Sequence, residues 1–105
     1  MDEYVILLPL AYNDGKAVET AVLRELMQLL YDLAEGYTIE GEVKGAYRMK
    51  SGRKQEDRLL KVWVLIPPES VPKLRALVRG FCIRLNQESM WLEKEPSIVE
   101  FIHPD

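Results

Sequence analysis

Leu59-Leu60-Lys61-Val62-Trp63-Val64-Leu65-Ile66 is the stretch whose reading decides the fold. Six of its eight residues are aliphatic, one is tryptophan, and Pro67-Pro68 ends the run before a helical pattern can develop. A short apolar run bounded by prolines predicts a strand at the centre of a sheet. Side chains alternate across a strand, so Leu60, Val62, Val64 and Ile66 form one set and Leu59, Lys61, Trp63 and Leu65 the other. The first set is expected in the core. The second is also largely apolar, so the outer face of this strand is not built for water.

Working outward, residues 4–10 give another apolar strand, ended by the turn signal Asn13-Asp14-Gly15. Val18, Val22, Leu26, Leu29, Leu30 and Leu33 recur at helical spacing over residues 16–35, with Gly36 as the expected left-handed stop. Residues 37–48 alternate as a strand with one wet face, in which Gly41 and Gly45 suggest a bulge or twist. A polar connection over 49–55 makes a hairpin with the central strand. Ser70-Val71-Pro72 opens a second helix, whose stripe runs Val71, Leu74, Leu77, Val78, Phe81 and Leu85. Asn86 stops it, residues 88–93 form a fourth strand, and a short extra C-terminal strand over 98–102 would extend an edge or reach a neighbouring subunit.

Composition bounds the classes. The chain has 105 residues, enough for one domain over 1–105, with a net charge of -3. An acidic balance argues against nucleic acid as a partner. One cysteine and one histidine supply neither an intramolecular disulfide nor a Cys/His zinc site, so no metal ligand set and no cofactor is assigned. Met1-Asp2-Glu3 has the wrong charge to begin a signal peptide and the apolar runs are too short to span a bilayer, so a cytoplasmic protein without membrane insertion is expected.

The order β-α-β-β-α-β predicts an α+β sandwich, an antiparallel sheet with two helices on one face. In element order over residues 3–94 the chain resembles stand-alone ferredoxin-like bacterial proteins of unknown function, and its Leu8-Pro9-Leu10…Asn13-Asp14-Gly15 opening is similar to theirs. That resemblance implies a fold and no activity. Gly41-Glu42-Val43-Lys44-Gly45-Ala46-Tyr47-Arg48 resembles the acylphosphatase phosphate loop, but it is one residue short, has Lys44 for glutamine and lies on the second strand instead of after the first. Asp14, after the first strand, is similar in place to the metal-binding aspartate of small ferredoxin-like CRISPR-associated nucleases, whose remaining pattern is missing here.

In this topology one end of the sheet gathers the end of the first strand and the hairpin. Asn13, Asp14, Arg48, Asp57, Arg58 and Glu88 are therefore the candidate ligand-binding residues. The first-helix N–H groups there would favour an anion, and Asp14, Glu56, Asp57 and Glu88 a cation; the plain alternative is solvated charges pairing across the sheet end. His103 lies beside the C-terminus, Cys82 reads as core filler, and Arg75 and Arg79 as a wet helix face. Tyr12, Tyr47 and Trp63 lack the glycine-aromatic pattern of an RNA-binding sheet. Leu59, Trp63, Leu65 and Trp91 are the candidate interface. The reading is a non-catalytic binding or interaction module, homodimeric through the open sheet face, taking a small-molecule or protein partner. The alternative is a small cofactor-free enzyme of the dimeric α+β barrel type, with a cavity over the sheet.

Overall fold

Period-two burial along the central strand sets the layers. The computed structural model describes residues 1–104. Strands β1 (Asp2–Pro9), β2 (Thr38–Arg48), β3 (Lys54–Ile66) and β4 (Leu92–Glu95) form one antiparallel sheet in the order β2-β3-β1-β4. Helices α1 (Thr20–Ala34) and α2 (Val71–Arg84) pack on one face of it. This is the expected ferredoxin-like βαββαβ arrangement.

Val62, Val64 and Ile66 of β3 are buried with Tyr4, Ile6 and Leu8 of β1, against Leu26 and Leu30 of α1 and Leu74 and Phe81 of α2. Of the other parity, Leu7, Leu59, Trp63 and Leu65 lie on the face without helices and are partly exposed, whereas Val5 and Pro9 on that face are buried. No helix is long and apolar enough to cross a membrane.

Several boundaries differ from expectation, each for a local reason. α1 begins at Thr20 because the preceding backbone is committed to a closed loop: the Tyr12 N–H donates to the Lys16 carbonyl at 2.8 Å and the Val18 N–H to the Leu10 carbonyl at 2.9 Å. Glu35, not Gly36, takes the left-handed conformation after α1 (φ 62°), its N–H donating to the Tyr31 carbonyl at 2.7 Å. Gly41 does mark a bulge, with φ 127° where the β2–β3 register slips.

β4 starts at Leu92 instead of residue 88. Asn86 turns left-handed (φ 52°) and the Gln87 N–H still caps α2 on the Cys82 carbonyl at 2.9 Å, so the chain reaches the sheet edge late. The extra C-terminal strand over 98–102 does not form in this chain. Pro96 has no N–H to continue the β1–β4 ladder, and residues 97–104 beyond it join no strand, with Ile98 98% and Ile102 83% exposed.

Candidate functional site

β1 ends where Pro9 stands opposite Leu59, but the β2–β3 pair continues from Lys44↔Arg58 to Arg48↔Lys54. The hairpin end therefore projects past the rest of the sheet, and the molecule extends 54 × 28 × 23 Å. Its turn closes through the Gly52 N–H to the Met49 carbonyl at 2.8 Å, with Gly52 at φ 88°.

Alternation sends Asp57 and Arg58 to opposite faces. On the helix-side face Arg58 makes a two-pronged ion pair with Glu42 (2.6 and 3.1 Å), which raises the guanidinium pKa and lowers that of the carboxyl. Arg48 is exposed on that same side, beside Lys54, which pairs with Glu56 at 3.2 Å. Asp57 faces the other way, opposite Gly45, and is half-buried; its Oδ1 accepts a long 3.4 Å bond from Gln55 Nε2.

The six candidate residues therefore occupy four places at one end of the sheet. Asn13 and Asp14 sit in the loop after β1, where Asn13 Nδ2 donates to the Asn86 carbonyl at 3.4 Å and Asp14 Oδ1 accepts the Lys16 N–H at 2.9 Å. These two residues line a shallow depression with Asn86 and Arg53. Glu88 reaches the hairpin turn, accepting the Lys50 N–H at 3.3 Å. Asp57 opens on a separate hollow, and Arg48 and Arg58 point away from it.

That hollow, about 320 Å3, was not legible as a unit in the sequence. Leu7, Pro9 and Leu59 form its floor, and Gln87, Met90 and Trp91 wall it where the chain passes from α2 to β4. Trp91 is 57% exposed, yet its indole N–H is held by Glu93 Oε1 at 3.0 Å. Tyr47 completes the rim. Its hydroxyl is buried without a hydrogen-bond partner, and burial, then the Asp57 and Glu88 charges, push its pKa up. The missed contributors were Gly45 and Met90. The glycine facing an aspartate across a hairpin was the available signal; the path of residues 87–91 had none.

The interface candidates fall in two groups on this open face. Leu59 and Trp91 belong to the hollow, whereas Trp63 and Leu65 line a groove of about 370 Å3 at the far end, with Tyr37 and Phe101. Phe101 thus comes over its own sheet, but it stays 68% exposed. Past β1 the face turns acidic, since Glu93 and Glu95 occupy it on β4; the closeness of the two carboxyl groups raises the Glu95 pKa and lowers that of Glu93. Among the described residues no group of three His, Cys, Asp or Glu side chains is placed to hold a metal ion.

No protein-family model matches the sequence, and a search of curated proteins finds no match. Solved structures do share the fold. A phage SAM lyase in complex with S-methyl-5'-thioadenosine superposes with a TM-score of 0.68 at 14% identity, covering 90% of this chain and 79% of its own. The divalent cation tolerance protein Cut A1 from Thermus thermophilus gives the same TM-score, 0.68, at 20% identity over 95% of this chain and 86% of its own. At such identities the likeness is one of ferredoxin-like architecture, and function has to be argued from this chain's own surfaces.

Proposed function

We propose that this chain is a small non-catalytic binding module that self-associates through the open face of its sheet and holds a small ligand at the hairpin end of that face. The carrying observation is the face itself: Leu7, Leu59, Trp63 and Leu65 lie on it partly exposed, with no helix packed over them. An uncovered apolar sheet face favours association, and pairing two copies about a two-fold axis is the commonest solution. The tail over 96–104 supports this reading, because Ile98, Phe101 and Ile102 are exposed on it and Phe101 lines the Trp63 groove.

Light scattering at micromolar concentration tests the association. Wild type should have the mass of two chains, Trp63→Glu and a chain ending at Glu95 a lower one. A wild-type mass of one chain ends the dimer reading, and a Trp63→Glu variant that remains a stable dimer moves the interface off this face. A thermal-shift screen of divalent metals, nucleotides and small organic ions tests the ligand site, whose response should be lost in Asp57→Ala.

The hollow over the sheet favours one second reading, a cofactor-free enzyme. S-methyl-5'-thioadenosine, held by the phage SAM lyase, is a direct probe for it. Turnover of a nucleoside substrate that survives Asp57→Ala would count against a reaction in this hollow.

A further inference from the structure

We propose that the hollow between the β2–β3 hairpin and residues 87–91 takes a small organic cation, an aryl amine whose ring lies on the apolar floor beside Trp91 and whose ammonium pairs with Asp57. The inference rests on the reading that the module's ligand site is at this end of the sheet, and it adds the ligand's charge and shape.

Size comes first. A volume of about 320 Å3 is at the small end of ligand pockets, so the occupant is a single ring system with a short arm. Gly45 leaves that space open, because no side chain projects from β2 opposite Asp57. The floor of Leu7, Pro9 and Leu59 offers only carbon. Trp91 supplies an aromatic surface, and the bond from its N–H to Glu93 fixes the ring before anything binds, so little side-chain freedom remains to be lost.

Charge comes second. Among the described residues that line the hollow, Asp57 is the one acidic side chain, and neither lysine nor arginine contributes. Of the cations nearby, Arg58 is on the opposite face with Glu42, Lys61, on the same face, pairs with Glu40 at 3.1 Å, and Lys44 projects on the Arg58 side of β2. Glu88 adds a second negative charge at this end; the Tyr47 pKa is raised first by burial and then by the Asp57 and Glu88 charges. A half-buried carboxylate with one long hydrogen bond gains most from a cation brought by the ligand, whereas an anion would meet Asp57 with nothing to offset the repulsion. The face of Trp91 favours a cation as well.

Tyramine, 4-ethylphenol and 4-hydroxyphenylacetate carry the same ring with a positive, neutral and negative arm. Titrated into the full chain bearing Trp63→Phe, so that Trp91 is the remaining tryptophan, tyramine should shift the emission saturably and raise the melting temperature; the other two should do neither. Asp57→Asn should weaken tyramine roughly tenfold or more, and Gly45→Leu should abolish its binding while the circular dichroism spectrum is kept. Binding of the anion or the neutral phenol as tightly as the amine overturns the cation assignment; if Gly45→Leu then removes that binding, the ligand site itself still stands. Tyramine binding unchanged in both Asp57→Asn and Gly45→Leu overturns the site along with the assignment. So does the absence of any emission change with all three probes at millimolar concentration.

Discussion

Gly45 stands directly opposite Asp57 in the β2–β3 pair, and the side chain missing at Gly45 is what leaves the Asp57 carboxylate facing open space. Its φ lies outside the left-handed region, and an added Cβ would meet Leu59 Cδ1 at 3.4 Å, an ordinary contact. The glycine is therefore not required by the backbone. Gly45→Ala should raise unfolding stability by roughly 0.5–1 kcal/mol, since glycine inside a strand carries an entropic cost. Urea denaturation checks this, and a loss of stability would mean that Leu59 cannot yield.

The Tyr47 hydroxyl gives the fold an alkaline limit. Its folded pKa lies above the ordinary value of 10.0, first because it is buried and second because Asp57 and Glu88 are near. The unfolded phenol ionises first, so the stabilisation is complete below about pH 10 and is lost as pH rises through the folded pKa. Tyr47→Phe should flatten the fall in stability between roughly pH 9.5 and 11. Tyr12, raised by its hydrogen bond to Glu19, is the necessary control, and Tyr12→Phe should remove a separate share of the same slope.

Glu35→Gly should stabilise the chain by about 1 kcal/mol. Glu35 holds φ 62° at the end of α1, a conformation that costs any residue with a Cβ and costs glycine nothing. A denaturant midpoint that does not move would show that the Glu35 side chain offsets the strain.

Phe81→Ala should cost about 3–5 kcal/mol, the range for truncating a fully buried aromatic. The ring is 2% exposed and lies in the single cluster joining α2 to Tyr4, Ile6 and Val64. Ile83, 76% exposed two residues away, should tolerate alanine with a change below roughly 0.5 kcal/mol.

These contrasts show what one sequence carries and what it leaves out. Leu60, Val62, Val64 and Ile66 were assignable to one face because a half-covered strand must alternate, and a one-residue slip would expose the whole set. The same alternation separates Asp57 from Arg58, so the grouping of six polar residues at one sheet end follows from topology but divides once parity is applied. Trp91 was legible as an open-face residue; its place beside Leu7, Pro9 and Leu59 was not, because that depends on how residues 86–91 leave α2 through Asn86 and the Gln87–Cys82 cap. Loop paths of this kind are set by tertiary packing and carry no periodic signal.

The projecting hairpin places a gradient of local opening along one strand. Near Val62, β3 is paired on both sides and buried, so its amides should exchange with deuterium only when the whole chain unfolds. From Lys54 to Asp57 the strand has β2 alone for a ladder partner, and these amides should exchange through fraying at much lower cost. A molecule bridging Asp57 and Trp91 would fasten the frayed end to the α2–β4 connection. Its binding would slow exchange at the tip of β3 far more than at its middle, so a single strand would carry both the reporter and its internal reference.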